Sequence, residues 1–163
     1  MKQSEDRFAD LKPSALSDEE KQSLIVLAMK LLAGKHRVGS ALCNATETRQ
    51  FLCMRLGDYR HEVFGCLFLD TRHRIIALRE LFQGTIDGAS VYPRVVVQQA
   101  LDVNAAATIF FHNHPSGVAE PSLADEAITR RLKDALALVD IRVLDHLVVS
   151  AGESVSFAER GLL

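Results

Sequence analysis

From Ser17 to Gly34 the apolar side chains Leu24, Leu27, Ala28, Leu31 and Leu32 recur at three- and four-residue spacing, the period of one helix face. Ser17 followed by Glu20 is a capping-box pattern, and Gly34 supplies a stop. Asn44 and Glu47 repeat the capping spacing. They predict a second helix over about 45–56, ending at Gly57, with Phe51, Leu52, Met54 and Leu56 as its apolar members. The pattern changes near Glu62. Val63 to Leu69 (VFGCLFL) is an unbroken apolar run suited to a buried strand. Asp70 to His73 reads as a hairpin turn, and Arg74 to Phe82 as a second strand containing Ile75 and Ile76.

Gln83 to Ser90, with Gly84 and Gly88, reads as a loop, and Pro93 opens a helix running to about Val103. Thr108 to His112 is a third strand, followed by a loop over Asn113 to Pro121. Ser122 caps a helix reaching about Val139, with Leu123, Ala127, Ile128, Leu132 and Leu136 apolar. Ile141 to Val149 is a fourth strand, and Ser154 to Phe157 forms a last edge strand or irregular turn. Residues 1–16 read as a tail or docking arm, and residues 35–43 follow neither period. The order α-α-β-β-α-β-α-β predicts an α/β fold: a mixed sheet with helices on both faces.

Composition narrows the function classes. With 163 residues, 48% of them hydrophobic, the chain can build a core, and disorder is excluded. A net charge of -2 leaves no basic footprint for duplex nucleic acid. The cysteines are three, Cys43, Cys53 and Cys66, with no C-x-x-C pair. A disulfide framework or a cysteine-rich metal site is not expected, and the reducing cytoplasm fits. The polar N-terminus is not a signal peptide, and no apolar run is long enough to span a bilayer.

The chemistry concentrates in FFHNHPSGVAEPSLAD, residues 110–125. His112 and His114 are two apart, so in extended chain they point to the same side and can converge on one ion. If Ser122 caps the helix, Asp125 lies in its first turn and can face back toward the strand end. Two imidazoles and a carboxylate are the three protein ligands of a catalytic zinc site, which keeps a fourth position for water and brings that water's pKa to about 7. Hydrolysis also needs a base. Glu62, just before an apolar strand, is the candidate, with Glu80 as a rival. Ser122 can donate to a developing oxyanion. The same Ser122 and Asp125 also fit a plain capping box, and the two roles are compatible. His61 reads as a solvated loop residue, and His36 and His73 as surface residues. His146, beside Asp145, reads as a satisfied polar contact or a partner for a ligand. Cys66 reads as an inert core thiol, and Arg130, Arg131 and Lys133 as a solvated helix face.

The pattern His112-x-His114-Pro115, six residues, then Ser122-x-x-Asp125 resembles the JAMM signature of JAB/MPN-domain metallopeptidases. More narrowly, the segments at 81–94, 104–117, 120–132 and 141–150 are similar to the bacterial RadC-like branch. The resemblance implies a three-layer α-β-α sandwich related to the cytidine deaminases. It divides the chain into an N-terminal tail and helices (1–58) and an MPN/JAB domain (59–163). It implies zinc ligands at His112, His114 and Asp125, a catalytic glutamate at Glu62, an oxyanion role for Ser122, and a peptide or protein substrate cleaved at an amide bond.

Two departures stand out. The first 60 residues show no Gly-rich helix-hairpin-helix, the DNA-binding element of longer RadC-like proteins, and Pro93-Arg94-Val95 stands where the family has Pro-Arg-Glu. The competing readings are a non-catalytic MPN scaffold and a DNA-repair-associated accessory protein. A zinc deaminase would need H-x-E and P-C-x-x-C, which the chain lacks. The residues of an HNH nuclease are spread along a motif and are not consecutive, as they are here.

Overall fold

The computed structural model describes residues 11–35, 38–39, 45–85 and 90–163. After one 3-10 turn at Pro13–Ala15 come the helices α1 (Asp18–Lys35) and α2 (Ala45–Leu56). The hairpin β1 (Val63–Leu69) and β2 (Ile75–Gln83) follows, then α3 (Pro93–Asp102), β3 (Ala107–Asn113), α4 (Leu123–Ala137), β4 (Arg142–Val149), β5 (Ser154–Ser156) and the one-turn α5 (Phe157–Arg160). Asn44, Cys43 and His36 lie outside the described residues, as do residues 1–10, 86–89 and the side chain of Leu32.

The five strands form one mixed sheet in the order β2-β1-β3-β4-β5. β1 pairs antiparallel with both β2 and β3, whereas β3 and β4 run parallel and β4 pairs antiparallel with β5. The parallel pair requires a crossover, and α4 supplies it. The β1–β2 turn closes as its sequence predicts. Asp70 Oδ1 accepts from the Arg72 and Arg74 amides, and His73 takes a positive φ of 56°.

All seven residues of β1 are buried, because helices cover both of its faces. On one face Leu67 and Leu69 pack with Phe51, Leu52 and Leu56 of α2. On the other, Phe64, Cys66 and Phe68 pack with Val96 and Ala100 of α3 and Leu132 and Leu136 of α4. This is the α-β-α sandwich expected of the chain, and each fully buried Leu or Phe contributes about 1.5–3 kcal/mol to it. The Ser17–Glu20 capping box forms, with reciprocal bonds of 2.8 and 3.3 Å. The apolar face expected of α1 is not a core face, however. Leu27 and Ile25 are exposed and Leu31 is 63% exposed, because α1 leans on α2 outside the two layers that cover the sheet.

Candidate metal centre

β3 is the middle strand, and its last turns of pleat carry the site. Thr108, Phe110 and His112 share the face covered by α3 and α4. Phe110 and His112 pack against Phe64, whose ring lies 6.3 Å from that of His112. Past the strand end, the His114 amide still bonds the Val149 carbonyl at 2.8 Å. The chain therefore stays extended, and His114 falls on the same side as His112. The loop then turns back through Gly117, whose φ of +88° suits glycine. That return brings the Val118 carbonyl to 2.8 Å from His114 Nδ1. A carbonyl only accepts, so Nδ1 carries a proton, and in the neutral ring Nε2 keeps its lone pair.

Ser122 caps α4, and Asp125 stands at its third position. The Ser122 hydroxyl accepts from the Asp125 amide at 3.1 Å and donates to Asp125 Oδ2 at 2.6 Å, while the Ser122 amide donates to the same oxygen at 2.7 Å. The capping box is thus real, and it also aims the carboxylate. His112 Nε2 lies 2.9 Å from His114 Nε2 and 3.4 Å from Asp125 Oδ1, and His114 Nε2 lies 3.7 Å from Asp125 Oδ2. Three atoms that each ligate one ion at about 2.0–2.2 Å must lie within about 4.4 Å of one another. The two His–Asp separations run to different oxygens of Asp125; with one atom taken from each residue the set lies within 4.8 Å, close to that limit, and this cluster is the one grouping among the described residues that could hold a metal ion.

The electrostatics suit a cation. Burial lowers the His112 pKa to about 4, against the pull of Asp125, so at neutral pH the ring is uncharged and its contact with Asp125 is not an ion pair. His114 moves the other way. The Asp125 carboxylate facing it raises its proton affinity, with the Val118 carbonyl and the charge of Glu62 adding to the effect. Burial tends to raise the Asp125 pKa, but His114, His112 and the two Ser122 bonds outweigh it and hold the carboxyl well below the usual range.

Glu62 is fixed by its backbone. Its amide donates to the Thr85 carbonyl at 3.0 Å, and its carbonyl accepts from Gly84 at 2.8 Å. On its other side β1 and β3 leave their ladder after the Phe64–His112 pair. There the buried Asn113 side chain takes over, accepting from the Val63 amide at 2.8 Å and donating to the His61 carbonyl at 3.1 Å. Asn113 therefore grips the residues on both sides of Glu62. Glu80, the rival, is held by Arg55 at 2.9 Å.

One expectation needs correction, and one pair of alternatives is decided. The His61 ring is half-buried against Tyr59, and its Nε2 is shielded from solvent with no partner among the described residues. It is not a solvated loop residue. The His146 ring does not pair with the Asp145 carboxylate, which accepts from backbone amides and from Ser156, so of the two alternatives read for His146 the partner of a candidate ligand is the one that forms. Its buried ring lies against His112, with Nε2 2.8 Å from His112 Nδ1 and Nδ1 2.6 Å from Thr129 Oγ1. Sequence reasoning missed Asn113 and Thr129. The available signals were an Asn inside an apolar strand and a Thr one helical turn after Asp125.

A mixed sheet between helical layers, with His112 and His114 at the end of its middle strand and Asp125 on the next helix, defines a JAB/MPN-like α/β protein bearing a His-His-Asp cluster. The sequence comparisons agree. The model of the RadC-like JAB domain matches residues 42–162, and the chain belongs to that family. The UPF0758 protein of Marinobacter nauticus is 62% identical over 142 residues, covering 87% of this chain and 63% of that relative. That of Thioalkalivibrio sulfidiphilus is 65% identical over 143 residues with the same coverage, and that of Vibrio cholerae 57% identical over 136 residues, covering 83% and 85%. The chain thus spans 63% of the length of the first two relatives. No described helix is long and apolar enough to cross a membrane.

Proposed function

We propose that the cluster binds zinc and that the protein is a zinc-dependent hydrolase, a metallopeptidase or isopeptidase that cleaves an amide bond in a peptide or protein. The observation that carries this reading is the convergence of two imidazole Nε2 atoms and a carboxylate within 3.7 Å. Lone pairs facing one another at 2.9 Å repel unless a cation or proton lies between them. The donor set, two imidazoles and one carboxylate with a side open to solvent, suits catalytic zinc. Zinc held there would supply Lewis acidity and a water with a pKa of about 7.

His112, His114 and Asp125 are the ligands in this reading. Glu62 accepts the proton of the attacking water and passes it to the leaving amine. Its place between His61 and Val63, both bonded by the Asn113 side chain that separates the two histidines, supports that role. Ser122 aims Asp125. Its single hydroxyl proton is committed to Asp125 Oδ2, so donation to a developing oxyanion requires that bond to be released.

The test compares zinc-loaded with metal-stripped protein on a peptide library. Turnover is expected only with zinc, and Glu62→Gln should keep the metal while losing about 10²–10⁴-fold in rate. Full activity of Glu62→Gln overturns the role of Glu62. A purified protein that takes up no zinc favours a non-catalytic scaffold.

A further inference from the structure

Behind the cluster lies a chain of buried polar contacts that ligand binding alone does not require. Thr129 Oγ1 lies 2.5 Å from the Asp125 carbonyl and 2.6 Å from His146 Nδ1, and His146 Nε2 lies 2.8 Å from His112 Nδ1. Asp125 and His112 are both ligands in the reading above, so the contacts join one ligand to another through two residues that touch no metal. Thr129, His146 and His112 are each no more than 1% exposed. No solvent competes for their protons, and each hydrogen must be placed between these atoms.

We propose that Thr129 and His146 are positioning residues that select the metal-binding tautomer of His112. The placement follows from one fixed point. The Asp125 carbonyl can only accept, so the single hydroxyl proton of Thr129 goes to it. Thr129 Oγ1 then accepts from His146, which must carry its proton on Nδ1. His146 Nε2 is left as an acceptor, so the facing His112 Nδ1 carries a proton. A neutral His112 protonated at Nδ1 has its lone pair on Nε2, the atom that faces His114 and Asp125.

Reversing the polarity reverses the outcome. If Thr129 donated to His146 instead, His146 would donate through Nε2, and His112 would carry its proton on Nε2, pointing into the cluster where a metal could not use it. The helix carbonyl of a ligand thus breaks the symmetry of two facing, tilted imidazoles. Packing holds the geometry: Phe157, Phe64 and Phe110 surround His146 at centroid distances of 4.7, 5.5 and 5.7 Å.

This inference rests on the metal reading, and the test separates the two. Zinc alone is the probe, titrated into the full chain against a chromophoric chelator, with Thr129→Val and Thr129→Ser beside the unaltered protein. Thr129→Val keeps the shape and removes the hydroxyl. It should weaken zinc binding by about 10–100-fold, and Thr129→Ser should restore it to within about threefold. Long-range nitrogen–proton spectra of the metal-free protein read the tautomer without any variant, and His112 should be protonated at Nδ1. A folded Thr129→Val that binds zinc as tightly as the unaltered protein overturns the inference, as does a Thr129→Ser as weak as Thr129→Val, or a His112 protonated at Nε2. If the unaltered protein binds no zinc, the zinc reading falls. The spectrum still decides the tautomer circuit, Nδ1–H supporting it and Nε2–H overturning it.

Discussion

Asn113 separates the two histidines in sequence and does different work from either. Its amide stands in for the ladder bonds that β1 and β3 no longer make, serving the Val63 amide and the His61 carbonyl. Asn113→Ala leaves both backbone groups buried without that partner. A loss of about 1–3 kcal/mol per unsatisfied group is expected in denaturant unfolding. Zinc titration of the same variant should show little change, because His112 and His114 keep their own supports. An Asn113→Ala protein of unaltered stability would show that the amide grip on the Glu62 segment carries no energy. None of this was readable from the string His-Asn-His. The middle residue acquires its meaning only when β1 arrives beside β3, and that pairing joins positions 50 residues apart.

At the scale of elements, the sheet and the helices that cover it were largely legible. Val63–Leu69 reads as a doubly covered strand because every residue in it is apolar or Gly, and the Ser122–Asp125 spacing announces the start of α4. What failed was the fate of α1. Its apolar spacing was plain, but spacing does not say whether another layer lies opposite. One glycine also escaped notice. A Cβ on Gly65 would sit 2.3 Å from the Phe111 ring and 2.6 Å from the Arg79 carbonyl, so the ring of β3 lies directly across the backbone of β1. Gly65→Ala should destabilise the fold by about 1–3 kcal/mol through overpacking, read as a lower denaturation midpoint. A pairing of Gly65→Ala with Phe111→Leu should recover part of that loss, since the smaller side chain vacates the space the new methyl needs.

For the whole molecule, buried imidazoles set how the metal-free fold responds to acid. Burial lowers the proton affinity of both His112 and His146 in the folded state. Below the unfolded histidine value of about 6.5, the unfolded chain takes up protons that the folded chain refuses. Stability should therefore fall as pH drops from about 6.5 toward about 4, with a limiting slope of about 1.4 kcal/mol per pH unit for each proton. His114 has the opposite sign, but its contribution is already complete below about 6.5 and is lost only as pH rises through its raised folded value. Asp125 adds its own loss only below about 3.8, because its folded value is depressed. Guanidinium midpoints of chelator-treated protein at pH 7, 6 and 5 check this, and a midpoint that rises on acidification would contradict it.

The placement of β3 at the centre of the sheet has one more consequence, for the lifetime of the site. Amides of a central strand open only when much of the fold opens, whereas the first turn of a helix can fray by itself. Of the three candidate ligand positions, His112 therefore belongs to the slowest-opening part of the molecule, His114 is tied to it by one backbone bond just past the strand end, and Asp125 sits in a segment closed by the Ser122 cap. For an ion bound there, the α4 cap is therefore expected to set the residence time, more than the strength of the core beneath the strand.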